Sequence, residues 1–322
     1  MADPSGRGVG IGGPTVKRGE SLERIRVIGV RYRTTEFADG DERGLDAYLA
    51  SGVYAEAGVP VTVVEPRLPE AAPVDDRVFS LGLLNGAIAA EVAAARRNGA
   101  VALLTGGNCT HATGIVGGLQ DAHGAGLRLG LVWLDAHGDF NTPETTTSGM
   151  LGGMPVAVCA GLAHASWREL SHIAAPIPTD RILFVDVRNL DPPEEDLIWA
   201  TEASVAAPAP GFPGEDLDQA VARLDRTCDA IYLHIDADIL DETLVPSHGT
   251  KEPNGPDLDE TAAAVDTVMA TGKVVALALV SIYNRGENGP TSIRSAIDLL
   301  RHGLLSWKRH GTATLPVTRA PS

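Results

Sequence analysis

Cysteine is scarce: Cys109, Cys159 and Cys228 are the only three in 322 residues. An odd, small number builds no disulfide framework and points to a reducing compartment. Basic residues are also few, 26 Lys and Arg against 42 Asp and Glu, for a formal net charge of −16. So acidic a chain repels phosphate backbones, which argues against nucleic acid as a partner. The acidic residues are spread along the chain and read as a solvated surface rather than an acidic tail. No apolar run approaches the length of a membrane span, and the opening MADPSGRGVGIGGPTVKRGES lacks the apolar core of a secretory signal. Internal repeats are missing, as is any linker-like shift in composition between residues 22 and 310. These absences predict a soluble cytoplasmic protein with no membrane partner. One folded domain, 23–310, is expected between a disordered N-terminal arm, 1–22, and a flexible C-terminal tail, 311–322.

What is present is a regular alternation. Short β-rich runs at 26–32, 61–65, 101–104, 129–135, 181–187, 203–207 (weak), 229–236 and 273–282 alternate with Ala-rich helical stretches. Most of the runs are continuously apolar, the pattern of strands covered on both faces of a parallel sheet. Helices are predicted over 80–97, ending before Asn98-Gly99, and over 214–227, 257–271 and 291–309. Asp257 and Glu260 form a capping-box opening for the third of these. The fold class is therefore α/β, one doubly wound domain around an eight-stranded parallel sheet. In such folds ligands bind beyond the carboxyl ends of the strands.

Several polar stretches follow strand ends: Thr105-Gly-Gly-Asn-Cys-Thr-His111, Asp135-Ala-His137-Gly-Asp139, Arg188-Asn-Leu-Asp191 and His234-Ile-Asp236-Ala-Asp238. In an extended segment residues i, i+2 and i+4 face one way. Asp135, His137 and Asp139 can converge, and so can His234, Asp236 and Asp238. That much negative charge calls for cations, and bridging carboxylates would hold two of them close together. Mixed carboxylate and imidazole donors suit Mn²⁺, with Zn²⁺, Co²⁺ or Fe²⁺ as alternatives. A single D-x-H-x-D is a weak signal; the second D-x-D at a strand end is what makes a metal site the better reading. Gly106-Gly107 without a Lys or GxGxxG is weak evidence for phosphate. His111 reads as a turn residue, and Trp133 and His234 as structural.

These residues carry a family resemblance. DAHGDFNTPETTTSG followed by HIDADILD resembles the arginase/agmatinase (ureohydrolase) family along the spine of residues 26–305. GGNCT resembles its GGDHS, VRNLDPPEE its LRDVDPGE, and DADILDETLVPSHGT its DVDALDPSFAPGTGT. The resemblance implies a single three-layer αβα domain. It also implies two Mn²⁺ ions bridging a hydroxide that attacks a guanidino carbon to release urea. On that pattern Asp135 and Asp236 would bridge both ions, Asp139 would bind one, and His137 and Asp238 the other. Cys109 occupies the position of the family's remaining His ligand, and its softer thiolate alters the metal preference of that site. Asp139 is then the proton acceptor and His137 its catalytic neighbour.

The same resemblance assigns substrate contacts. Asn141, Thr146 and Ser148 match the loop that reads an α-amino acid head group, and Asp191 the carboxylate facing the α-amino group. Agmatinases, whose substrate lacks the carboxylate, keep this loop less well. Thr250 matches a position near the reacting group. Two positions depart from the family: Gly152 replaces a proton-shuttling His, and Ser281 replaces a Glu that pairs with the guanidinium. Glu287 is a candidate substitute for that Glu. Within the family, the HGDFNTPETT…LGGM run and Cys109 are most similar to the hydroxyarginine ureohydrolase of D-cycloserine biosynthesis. An N-hydroxyguanidine is less basic than a guanidine and depends less on a carboxylate partner. The expected activity is therefore a binuclear amidinohydrolase acting on an arginine-like amino acid, in a trimer or hexamer. A formimidoyl or other modified substrate, or a non-catalytic metal-binding relative, are the alternatives.

Overall fold

Eight parallel strands form one sheet in a computed structural model of the chain, which describes residues 19–318. They are β1 (Ile25–Val30), β2 (Val61–Val64), β3 (Val101–Gly106), β4 (Leu129–Asp135), β5 (Ile182–Asp186), β6 (Ser204–Ala206), β7 (Ala230–Asp236) and β8 (Val274–Val280). Their order across the sheet is β2-β1-β3-β8-β7-β4-β5-β6, every neighbouring pair parallel. The four central strands β3, β8, β7 and β4 are buried at every residue, which is why their sequences run apolar without alternation. Edge strand β2 is half-exposed, and the weak run at 203–207 is the short opposite edge β6.

Helices cover both faces, as the α/β reading requires. Their ranges are α1 (Leu45–Ser51), α2 (Arg77–Arg97), α3 (Ala112–His123), α4 (Pro155–Cys159), α5 (Ala165–Leu170), α6 (Pro192–Trp199), α7 (Leu217–Thr227), α8 (Leu258–Met269) and α9 (Gly289–His310). One apolar core joins the sheet to α1, α7, α8 and α9, the other to α2 through α6. Local signals set the ends of the predicted helices. Asp76 accepts the Phe79 amide, and Asp257 and Glu260 exchange both capping-box bonds at 2.9 Å. Helix α3 was not predicted, because ATGIVGGLQDAH is glycine-rich. Its glycines serve close approach: a Cβ on Gly117 would sit 1.7 Å from the Ser171 carbonyl oxygen, and one on Gly118 2.4 Å from that of Ala89.

Two expectations need correction. Helix α2 is long and apolar enough to cross a membrane by length and composition. It is instead a core helix, with Leu81, Leu84, Ile88 and Val92 fully buried. The chain ends are tied down further than expected. Glu20 bridges Thr312 on the first side, and Leu22 is buried. On the other, Thr318 donates its amide to the Ala122 carbonyl at 2.7 Å, and His123 Nδ1 meets the Pro316 carbonyl at 2.8 Å. Residues 19–22 are thus held by the Glu20–Thr312 bridge, and residues 311–318 by that bridge and by bonds to the end of α3. The remainder of the predicted arm and tail lies outside the described residues.

Candidate metal centre

The strand order brings together what the chain separates. Cys109 follows β3, Ser281 follows β8, Asp236 ends β7 and Asp135 ends β4, so four adjacent strands deliver these side chains in a row. They line one cavity of about 470 Å³ at the carboxyl end of the sheet. The turn after β3 needs Gly106 and Gly107, at φ 75° and 63°, to reverse direction beside Val30. These glycines serve the turn that presents Cys109.

Donor atoms fall into three groups, each within 4.8 Å: Cys109, Asp135 and Asp236; Asp135, His137 and Asp238; Asp236, Asp238 and His248. The Cys109 thiol donates to Asp236 Oδ2 at 2.7 Å and lies 3.6 Å from Asp135 Oδ2. His137 Nδ1 sits 3.3 Å from Asp135 Oδ1 and 3.2 Å from Asp238 Oδ2. Its Nε2 meets Glu252 Oε1 at 3.1 Å, and Asn189 donates to the same carboxylate. Ser281 donates to Asp236 Oδ2 and Thr250 to Asp238 Oδ2. Asp139 is buried and lines the cavity but belongs to none of the three groups.

Asp135, His137, Asp236 and Asp238 come together, but not by the extended alternation expected, and Asp139 and His234 stay outside the three groups. Residues Ala237–Ile239 form a 3₁₀ turn in which the Asp238 amide donates to Asp236 Oδ1 at 3.0 Å. Asp139 adopts a left-handed backbone at φ 48°. Strand geometry ends at Asp135 and Asp236, and local turns aim the remaining ligand-type groups.

The clustered carboxylates shift one another's protonation and that of their neighbours. Burial, reinforced by Asp238, Asp139 and Asp236, pushes the Asp135 carboxyl well above the usual range. Burial raises Asp139 likewise. Burial raises the Cys109 thiol, and the surrounding carboxylates add to the shift. Burial opposes charge on His137, but Asp135 and Asp238 outweigh it and hold the imidazolium far above its ordinary value. Burial also opposes charge on Asp238, yet His137 and His248 hold it below the carboxylate range. A buried set of carboxylates, imidazole and thiol, short of positive charge, is a donor set suited to divalent cations.

A polar loop forms the cavity mouth. Asn141 donates to Asp191 Oδ2 at 3.3 Å and accepts from Thr145 at 2.9 Å, while Thr147 donates to Asp191 Oδ1 at 2.8 Å. Thr146 and Ser148 also line the cavity. Gly152 lines it with nothing within 4 Å of where a Cβ would be. Glu287 is exposed and does not line the cavity, so it does not stand in for the carboxylate absent at Ser281. His111 is a turn residue: Nδ1 accepts the Asn108 amide and Nε2 meets the Thr34 carbonyl.

Sequence reasoning missed three groups. Glu252, which has no motif signal, and Asn189, inside the Arg188–Asp191 stretch but given no role there, stand behind His137. His234, read as structural, stacks on Trp133 with ring centroids 3.6 Å apart, hydrogen-bonds the Tyr232 hydroxyl through Nδ1 at 2.7 Å, and points Nε2 at the Cys109 sulfur, 3.4 Å away. The shared facing of His234 and Asp236 was the available signal. Arg188, passed over in the Arg188–Asp191 stretch, pairs with Asp186 and donates to the Ile239, Asp238 and Glu252 carbonyls. It ties the end of β5 to the loop after β7.

Comparison with known proteins agrees with this geometry. A family model described as the arginase family matches residues 23–306. The arginase of Bacillus caldovelox is 28% identical over 277 residues, covering 79% of this chain and 88% of that protein. The structure resembles an arginase from Bacillus cereus with a TM-score of 0.74 at 24% identity, covering 88% of this chain and 98% of that one. It also resembles a formimidoylglutamase from Bacillus subtilis with a TM-score of 0.67 at 15% identity, covering 95% and 97% of the two chains. The chain belongs to the arginase family, whose members are hydrolases of C–N bonds in linear amidines.

Proposed function

We propose that the protein hydrolyses the guanidino C–N bond of an arginine-like amino acid, with Nω-hydroxy-L-arginine as the favoured substrate. The observation that carries the reading is one cavity lined both by the carboxylate, imidazole and thiol cluster and by the polar side chains of Asn141, Thr146, Ser148 and Asp191.

At the mouth, Asp191 would accept the α-ammonium, held by Asn141 and Thr147. Thr146 Oγ1 accepts the Gly149 amide and Ser148 Oγ the Met150 amide. Both hydroxyl protons are then free to donate to an α-carboxylate. At the floor, Cys109, Asp135, His137, Asp139, Asp236 and Asp238 would hold two divalent cations, Mn²⁺ by the habit of the family. Such cations, when bound, supply a water that ionises near neutral pH and offset charge developing at the amidine carbon. His137 would face them through Nδ1, its Nε2–H donated to Glu252. Asp139, buried beside them, would take a proton and return it to the leaving amine. Thr250 orients Asp238, and Ser281 offers the reacting end a neutral hydroxyl where a guanidinium would demand a carboxylate. That neutrality favours the less basic N-hydroxyguanidine. Assembly as a trimer or hexamer in the cytoplasm accompanies this reading and is checked by light scattering on purified protein.

A second reading is a formimidoyl or otherwise modified amidine substrate, favoured by the open space at Gly152 and the missing carboxylate at Ser281. One assay decides. Protein loaded in turn with Mn²⁺, Co²⁺, Fe²⁺ and Zn²⁺ is offered hydroxyarginine, arginine, agmatine and N-formimidoyl-glutamate. Hydroxyarginine turned over well above arginine supports the proposal. Preference for the formimidoyl compound favours the second reading. Silence on all four with metal bound sinks both and leaves a metal-binding relative without catalysis.

A further inference from the structure

His248 has no role in the six-ligand pattern, yet the loop after β7 folds its ring back over the cavity. The side chain is 8% exposed and packs edge-on against Tyr283, ring centroids 5.3 Å apart. Its two nitrogens differ. Nδ1 lies 3.0 Å from the Thr250 carbonyl oxygen and 3.0 Å from Thr250 Oγ1. That hydroxyl donates its proton to Asp238, so its lone pairs face the ring. Two acceptors at 3.0 Å put the ring proton on Nδ1, against the longer 3.3 Å approach of the Thr250 amide. In the neutral ring that a metal ion would bind, Nε2 then carries the lone pair. It is buried with no hydrogen-bond partner, 3.5 Å from Asp236 Oδ1. A gap of 3.5 Å is too long for a good N–H···O bond, so a proton on Nε2 bridges it poorly, whereas a cation between the ring and the carboxylate fills it.

We infer that His248 is a seventh metal ligand, binding through Nε2 an ion it shares with Asp236 and Asp238. The inference rests on the proposed two-cation reading and extends it. Asp238 belongs both to the group with Asp135 and His137 and to the group with Asp236 and His248, so its carboxylate links the two rings across the cavity floor. The Nδ1–H bond to a backbone carbonyl is the support that metal-bound imidazoles show on their second nitrogen. His137 mirrors it, facing the carboxylates with Nδ1 and Glu252 with Nε2. The two ions are then unequal. One would be held on the thiolate side by Cys109, the other on the imidazole side among carboxylates, where nitrogen donors favour Fe²⁺, Co²⁺ or Zn²⁺ over Mn²⁺ more than an oxygen-rich site does.

The test uses the full chain, stripped with a chelator and reloaded with Mn²⁺ or Co²⁺. Metal per chain is measured by mass spectrometry and affinity by calorimetry, in wild type and in His248→Ala and His248→Asn. Two ions are expected in wild type. In the variants one ion weakens by at least about tenfold to a hundredfold, the range that loss of even an outer supporting partner costs. Pulsed EPR of the loaded wild type, which needs no variant, is expected to detect two coordinated imidazoles. One imidazole in that spectrum, or unchanged affinity for both ions in the variants, overturns the inference and leaves the two-cation reading standing. Variants that keep both ions but lose turnover also overturn it and move His248 to the substrate. A wild-type chain that takes up no metal overturns both.

Discussion

Metal loading is expected to raise the unfolding temperature by an amount that grows with pH. The cause is the buried cluster of Asp135, Asp139, Asp236, Asp238 and Cys109, with His137 and His248 its nearest bases. Saturation at a hundred times the dissociation constant contributes about 2.7 kcal/mol per ion, so roughly 5 kcal/mol for two. At about 2 °C per kcal/mol for a domain of this size, the rise is on the order of 10 °C. The pH sign follows from the metal-free site. Asp135 and Asp139 are raised in the folded state, by burial first and then by neighbouring carboxylates. Their contribution to stability is full below the unfolded value near 3.9 and is lost as pH rises through the raised one. His137 is raised as well, against burial and because of Asp135 and Asp238, so its share is full below about 6.5 and is lost above that. Asp238 is lowered, so its share is lost only in strong acid and stays constant above about pH 5. The metal-free protein therefore weakens from about pH 5.5 to 8.5, while ligand deprotonation strengthens metal binding over the same range. Scanning calorimetry with chelator, Mn²⁺ or Co²⁺ across that range measures the difference. A shift that is flat or shrinks toward alkaline pH, or no shift with metal demonstrably bound, would refute the reasoning.

Cys109→Ala is expected to weaken one of two ions by about tenfold to a hundredfold and to remove the near-ultraviolet sulfur-to-metal absorption of the Co²⁺ form. If metal content, affinity and spectrum are unchanged, Cys109 is not a ligand. Asp191→Asn is expected to raise KM by about tenfold or more, from the lost charge-assisted contact to the α-ammonium, with metal content unchanged; equal KM values in a steady-state assay would remove Asp191 from the clamp. Gly152→His enters open space, so its unfolding temperature is expected within about 2 °C of wild type, and its ratio of kcat/KM for hydroxyarginine over arginine is expected to fall. An unchanged ratio would mean that position 152 does not face the reacting end.

The fold was legible because its strongest signals are local. β3, β4, β7 and β8 are buried on both faces, so their apolar runs announce themselves without knowledge of neighbours. Caps at Asp76, Asp216 and Asp257 mark helix starts through bonds to amides three residues on. Helix α3 was invisible, since its glycines weaken helix propensity for the sake of packing on α2 and the Ser171 backbone. In the site, Asp135, His137, Asp236 and Asp238 could be read from spacing at strand ends. Glu252, Asn189 and Arg188 could not. Each acts on a residue about fifty or more positions away, through a loop whose path no local pattern encodes.

The sequence by itself determined which residues end strands, and hence that carboxylates, imidazole and thiol emerge at one edge of a parallel sheet. Side-chain facing along a strand is a property of the local backbone and needs no tertiary contact. Only the tertiary structure decided the sheet order that seats Cys109, Ser281, Asp236 and Asp135 side by side. It also decided the turns that aim Asp139 and Asp238, and the fold-back that leaves His248 Nε2 buried and unpartnered among them. Those outcomes depend on crossover packing and loop closure between segments that the chain keeps far apart.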